Sequence, residues 1–326
     1  MKYRAYHFTA VAIALVLTAG STFAQTKWDL PAAYPATNFH TENITQFAVD
    51  VDKASAGKLK ITVHAAGSLF KAPEIKRAVQ GGQAQAGEIL LVNFENENPL
   101  FGVDGLPFLA TSYADSKKLY AAQKPSLEKL FASQGIKLLY AVAWPSQGLF
   151  VQKEIASASD MKSVKWRAYS PATAKMAELL GAQPVTIQAA EVSQAFATGV
   201  VDSMMSSAAT GVDSKIYESV KYFYDLQAWL PKNAVIVNLS AFNALDAATQ
   251  AVVTKAAADA EVRGWKTSAD KNEGYKKTLV EKGMKIVTPS IKLATEFGTI
   301  GGTMQADWVK KAGADGQAIL DAYNKK

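Results

Sequence analysis

Arg167 is the residue of this sequence whose type and setting best suit binding chemistry. Arginine is scarce, occurring only as Arg4, Arg77, Arg167 and Arg263, while the rest of the 35 Lys+Arg residues are lysine. Arg167 ends the strand-like run Val164-Lys165-Trp166-Arg167 and stands just ahead of Ser170-Pro171, a helix opening with Ser as N-cap and Pro in the first turn. A guanidinium at the carboxyl end of a strand and beside a helix N-terminus is placed for an anion. Its planar fork can hold a carboxylate through two hydrogen bonds, and the helix end adds partial positive charge. A locally paired or solvated arginine is the alternative reading. Arg77, on a short amphipathic helix, reads as a surface residue. Trp144, Trp166, Tyr169 and Trp229 read either as core aromatics or as walls of an apolar pocket.

Other chemistries find little footing. There is no Cys, which excludes a disulfide framework, a zinc ribbon, an iron–sulfur site and a thiol nucleophile. Past the N-terminal segment the only histidines are His40 and His64, and no Gly-x-Ser-x-Gly elbow accompanies them. No His-Glu-x-x-His, aspartate ladder, Walker loop or Gly-x-Gly-x-x-Gly occurs, so neither metal nor cofactor is expected. Gly301-Gly302 lacks the flanking strand that a phosphate loop requires.

The elements that would position Arg167 alternate between strand and helix, an α/β pattern with mostly parallel sheets. Residues 39–56 carry Ile44, Phe47 and Val51 at helical spacing and stop at Gly57. Leu59, Ile61 and Val63 then alternate with polar residues as a strand does. Residues 115–131 read as helix, and 136–142 and 148–152 as strands. The helix opened by Ser170 runs to Leu180 and stops at Gly181, and Pro184-Val185-Thr186-Ile187 is again strand-like. A faint repeat relates residues 74–82 to 191–199, each a short helix ending in Gly and followed by a strand, 84–91 in one case and 200–207 in the other. If the repeat holds, the strand ends near Leu90 and Ser206 face each other across an inter-domain cleft, where ligands of open α/β sheets bind. Residues 244–283 are almost unbroken helix formers without Pro: either one long helix across both domains, or two or three pieces broken at Gly264 and Gly274.

At 326 residues and 49% hydrophobic content the chain is long enough for two cored domains and excludes a disordered or collagen-like polymer. Residues 1–24 carry Lys2 and Arg4, an apolar stretch over 8–17, and small residues at Thr22 and Ala24, which reads as a signal peptide cleaved after Ala24 and a periplasmic product. Two charges of the formal +6 belong to that leader. The remaining lysines are scattered, with no basic run interleaved with aromatics, so no nucleic-acid partner is expected.

Taken in order, Asp160-Met161-Lys162-Ser163-Val164-Lys165-Trp166-Arg167, Leu180-Gly181-Ala182-Gln183-Pro184-Val185, then Glu191, Ala195 and Gly199-Val200-Val201-Asp202 make the chain resemble the DctP-like solute-binding subunits of tripartite ATP-independent periplasmic (TRAP) transporters. Ala66-Gly67-Ser68-Leu69 and Gly105-Leu106-Pro107-Phe108-Leu109 are similar to corresponding segments of that family, and Ser163 departs from its usual Gly. The resemblance implies a two-domain periplasmic binding protein fold with an inter-domain cleft and a long domain-spanning helix. It divides the chain into 1–24, a first domain of 25–144 and 235–273, and a second of 145–234 and 274–326. It implies that Arg167 is the carboxylate clamp, that second-domain contacts fall at Met205, Ser206 and Ser207 and at Ser146 and Gln147, and that first-domain contacts fall near Asn38, His40, Leu91 and Asn93. Trp144 and Tyr169 are the aromatics expected beside them. It also implies small and large integral membrane subunits as partners.

One clamp arginine, with no second arginine and no carboxylate at Met205 or Ser206, suits a monocarboxylate with an apolar tail. The expected ligand is an aromatic or aliphatic 2-oxo or 2-hydroxy acid such as benzoylformate, mandelate, lactate or pyruvate, bound without covalent chemistry. Burying an unpaired second carboxylate would cost several kcal/mol and so reject diacids. The rival readings are an ABC-type binding protein, which lacks the Lys-x-Arg and Gly-x-x-Asp pairing, and a secreted hydrolase, for which the nucleophile elbow is missing.

Overall fold

The computed structural model describes residues 25–325, so the expected leader and its cleavage after Ala24 lie outside the described residues. The first half of the chain runs β1 (Thr26–Pro31), α1 (Phe39–Ala54), β2 (Leu59–His64), α2 (Ala72–Gln80), β3 (Ala86–Leu90), α3 (Tyr113–Ser133) and β4 (Ile136–Ala143). The chain then crosses to β5 (Gln147–Val151), β6 (Lys165–Ala168), α4 (Pro171–Leu179), β7 (Gln183–Thr186), α5 (Val192–Ala197), β8 (Ser203–Ser207), α6 (Ala208–Asp213) and β9 (Tyr222–Tyr224). It returns through β10 (Lys232–Asn238) and α7 (Leu239–Asn243), and ends with α8 (Ala247–Glu281), β11 (Lys285–Val287) and α9 (Ile291–Asn324), the last interrupted by non-helical backbone at Gly313.

Local signals explain many of these boundaries. Asn38 caps α1 by accepting from the His40 N–H, and Ser170 caps α4 by accepting from the Thr173 N–H. Gly57 and Gly181 follow α1 and α4 with φ of +79° and +70°, a backbone region that a Cβ would strain.

Strand pairing sorts the elements into two bodies. A sheet of order β3-β10-β4 is antiparallel throughout and lies beside the parallel pair β1-β2. The six-stranded sheet β11-β9-β5-β8-β6-β7 is mixed: β5 runs antiparallel to both β8 and β9, while β6 pairs parallel with β7 and β8. The expectation of mostly parallel sheets is therefore corrected. The reason is topological: β5 and β10 each enter a sheet straight from the other body instead of through a crossover helix.

Each body has its own core. Phe39, Phe47, Tyr140 and Trp265 anchor the first, and Trp166, Met176, Trp229 and Phe297 anchor the second. The pairing of Lys232 with Ala143 returns the chain to the first-half sheet three residues before the expected boundary at 235. The C-terminal helix is also shared. Leu293, Phe297 and Met304 pack in the second core, whereas Trp308 and Ile319 pack with Leu100, Val103 and Leu119 of the first half.

Helix α8 is one continuous element of 35 residues that packs on α1 and β4 of one body and on α6 and β11 of the other. Of the two readings open from sequence, the single long helix is the one observed. At Gly264 a Cβ would lie 2.5 Å from the Val142 side chain and 2.7 Å from Asn43, so this glycine lets α8 approach the sheet and α1 rather than breaking the helix.

Candidate functional site

Arg167 lies on β6 between Val185 of β7 and Met204 of β8. Its side chain is 4% exposed. The Nε–H donates to the Ile187 carbonyl at 2.9 Å, which aims the fork, and the guanidinium carbon sits 4.9 Å from the centre of the Tyr169 ring. Among the described residues no carboxylate forms an ion pair with it. Burial pulls its pKa down to about 10, so it remains a cation at neutral pH. The other two described arginines are settled otherwise: Arg77 is exposed, and Arg263 ties α8 to α1 through Asn43 and Asp50. Arg167 is thus a buried positive charge whose remaining N–H donors lack an acidic partner.

These donors border a small cavity of about 40 Å³ between the two bodies. A single water needs roughly 10–15 Å³, so the cavity has room for about three, and it adjoins a wider space that shares Ala33, Tyr34, Trp144, Ala189 and Thr210. From the second body Gln147, Arg167, Tyr169, Gln188, Ala189, Ser206 and Thr210 line it; from the first come Ala33, Tyr34, Ala72, Leu90, Asn93 and Trp144, with Pro231 at the crossover. Leu90 and Ser206, the two strand ends that the repeat set opposite one another, do meet on this one cavity.

The aromatic walls are held by hydrogen bonds. Trp229 Nε1–H donates to the Tyr169 hydroxyl, which donates to Gln147 Oε1, while Gln147 Nε2 donates to the Pro145 carbonyl. Both ends of Gln147 are therefore committed, and its role at the wall is to fix Tyr169 beneath Arg167. Trp144 Nε1–H donates to Asn233 Oδ1 at 2.9 Å, and the Trp144 ring meets Tyr34 edge-on at 4.8 Å. Burial raises the pKa values of Tyr34 and Tyr169, so both hydroxyls stay protonated.

Several expected contacts are not on the cavity wall. Met205 packs in the core and Leu91 is fully buried in the first core, because alternation along a strand and the turn after β3 send them away from their lining neighbours Ser206 and Leu90. Ser207 is buried and accepts from the Thr210 N–H as the N-cap of α6. Ser146 does not line the cavity, and its buried Oγ has no partner among the described residues. His40 lies behind Trp144, with ring centres 4.5 Å apart and Nδ1 3.7 Å from Glu88. Burial holds its pKa well below the ordinary value, so it is a neutral core residue. Asn38 caps α1 and donates to Asp213 instead of facing the cavity. Sequence reasoning passed over Tyr34, Gln188 and Thr210. Tyr34, an aromatic just before Pro35 in a loop near Asn38, carried the one usable signal.

Residues 32–304 match the family model of DctP, the bacterial extracellular solute-binding proteins of family 7. The chain belongs to this family. Its fold is that of the TRAP solute receptors. It superposes with a TM-score of 0.91 on the crystal structure of DctP6, a Bordetella pertussis extracytoplasmic solute receptor binding pyroglutamic acid, at 63% identity over 92% of this chain and 100% of that one. A marine-metagenome TRAP solute-binding protein specific for pyroglutamate is 45% identical over 93% of this chain and 99% of that one, also with a TM-score of 0.91. Among curated relatives, a monocarboxylate 2-oxoacid-binding periplasmic protein of Nostoc is 25% identical over 242 residues, 72% of this chain and 66% of that protein. The match to a solute-binding protein of Albidiferax ferrireducens spans 55% of that protein's length.

A DctP-family TRAP receptor is a transport protein and not an enzyme, which sets aside the hydrolase and the ABC-type readings. Among the described residues no helix is long and apolar enough to cross a membrane, and no group of three or more metal-ligating side chains gathers.

Proposed function

We propose that this DctP-family protein captures pyroglutamate in the cavity between its two bodies and delivers it to the small and large membrane subunits of a TRAP transporter. The observation that carries this reading is the buried Arg167 fork, cationic, short of an acidic partner and bordering the cavity between the two bodies. The ligand's single carboxylate would complete the ion pair, and domain closure would gain its free energy from contacts available only when both bodies face the ligand. The choice of pyroglutamate over the 2-oxo and 2-hydroxy acids expected from sequence draws on the ligands of the similar receptors. It also suits a wall that offers unengaged polar side chains beside its aromatics. Export to the periplasm follows from the same reading.

A thermal-shift series of organic acids tests it. L-Pyroglutamate at 100 times its dissociation constant should add about 2.7 kcal/mol of stability and raise the melting temperature by several degrees. Pyruvate, mandelate and succinate at the same concentration should do less. A larger shift with any of these three would overturn the assignment.

A further inference from the structure

Asn93 follows β3 and lines the cavity, yet its side-chain amide makes no hydrogen bond among the described residues, and its Oδ1 is buried from water without a partner. The residue as a whole is half-buried, and a buried acceptor left unpaired costs roughly 1–3 kcal/mol, a cost a binding site can recover when the ligand supplies the missing partner. The other polar side chains of the wall are less free or less complementary. Both ends of Gln147 are bonded, and the Thr210 hydroxyl is bonded to Ser207. Ser206 offers a single hydroxyl. Gln188, the other amide, has no carbonyl oxygen sealed from water in this way.

The chemistry of the missing partner can be read from the amide itself. A primary amide presents an acceptor and a donor side by side on one edge, and its best complement is a group with a donor and an acceptor side by side in the opposite order. A five-membered lactam is such a group, because ring closure forces its N–H and C=O onto the same edge. We propose that Asn93 is the specificity-determining residue of this site and reads the lactam through paired hydrogen bonds, Oδ1 accepting from the ring N–H and Nδ2 donating to the ring carbonyl. Arg167 then recognises that the ligand is an acid, and Asn93 recognises which acid. This inference rests on the pyroglutamate reading above and deepens it.

Calorimetric titration of the intact protein with three ring acids tests it: pyroglutamate, its lactone analogue 5-oxotetrahydrofuran-2-carboxylate, which lacks the N–H, and cyclopentanecarboxylate, which lacks both groups. The parent protein should bind pyroglutamate about 10- to 100-fold more tightly than the lactone, and the carbocycle more weakly again. In Asn93→Leu, with unliganded melting confirming the fold, affinity for pyroglutamate should fall and the three affinities should converge to within about threefold. The ligand series on the parent protein needs no variant, so a folding defect cannot hide the answer. Equal binding of lactam and lactone by the parent would overturn the lactam contact and leave the pyroglutamate reading standing. Discrimination kept in Asn93→Leu but lost in Gln188→Met would move the contact to Gln188 and refute this assignment. Failure of the parent to bind pyroglutamate at all would sink both.

Discussion

The side-chain amide of Asn38 donates from Nδ2 to Oδ2 of Asp213 at 2.6 Å, joining residues 175 positions apart across the mouth of the cleft. Asn38 leads into α1 of the first body and Asp213 ends α6 of the second, while Asn38 Oδ1 accepts from the His40 N–H. One side chain thus starts a helix and bridges the two bodies. Burial raises the Asp213 pKa, with the Asn38 hydrogen bond acting in the opposite direction.

A bond that exists only when the bodies meet adds to ligand affinity without touching ligand. Asp213→Ala should weaken ligand binding about 5- to 30-fold, in keeping with about 1–2 kcal/mol for a hydrogen bond to a partly buried carboxylate. Asn38→Ala should do the same and also lower the unliganded melting temperature, because it removes the cap of α1. Titration calorimetry and melting of both variants separate the effects; unchanged affinity in Asp213→Ala would show that the bond does not contribute to closure.

Arg167 should trade stability for binding. Replacing an uncompensated buried cation by an apolar side chain of similar length removes a desolvation cost. Arg167→Met is therefore expected to melt higher than the parent without ligand, by a margin of about 1 kcal/mol or more in unfolding free energy, and to show no shift with organic acids. Arg167→Lys keeps the charge but loses the fork and the bond to Ile187, and should bind roughly 100-fold more weakly. A ligand shift surviving in Arg167→Met would refute the clamp.

Glu88 supplies a pH signature. Burial pushes its carboxyl up to about 7, with the Asn233 amide offsetting part of the rise. Between its ordinary value of 4.5 and about 7 the folded chain holds this proton more firmly than the unfolded chain. Its stabilising contribution is therefore full below pH 4.5 and is lost as pH rises through 7. His40, 3.7 Å away with a lowered pKa, works in the opposite direction, its contribution being lost as pH falls below 6.5. Glu88→Gln leaves the histidine in place, so the difference from the parent isolates the carboxyl. The variant should gain on the parent from pH 4.5 to 7, by about 1.4 kcal/mol for each pH step of one and roughly 3 kcal/mol in all, and gain no more above that. Urea unfolding at pH 4.5, 6 and 8 checks this; a difference constant across the three would contradict it.

Two glycines of α8 should respond in opposite senses. A Cβ at Gly274 would meet nothing within 4 Å, so Gly274→Ala should stabilise by about 0.5–1 kcal/mol through helix propensity. A Cβ at Gly264 would press on Val142 and Asn43, and Gly264→Ala should destabilise by about 1–3 kcal/mol. Denaturant midpoints of the two variants provide the comparison, and destabilisation of both would point to a break in the helix that each glycine serves.

Short-range chemistry made much of this molecule legible. The Ser170 cap, the stop at Gly181 and the motif carrying Arg167 depend on neighbours within a few residues, so residue order alone placed the arginine at a strand end beside a helix start. The motif spacing also carried the family, and with it the two-body fold. Tertiary structure decided what depends on contacts far apart in the chain. Asn38 reads from sequence as a ligand contact, yet its free amide hydrogen finds Asp213, and only the approach of the two bodies could show that. Met205 and Ser206 are adjacent in sequence, but the orientation of β8 between β5 and β6 sends one into the core and the other to the cavity. Gly264 looks like a helix breaker until Val142, more than a hundred residues earlier, is packed against it. A side chain's local conformational preference is written in its neighbours, whereas its partner is chosen by packing, and in this receptor the cavity between the bodies is built almost entirely from such distant partners.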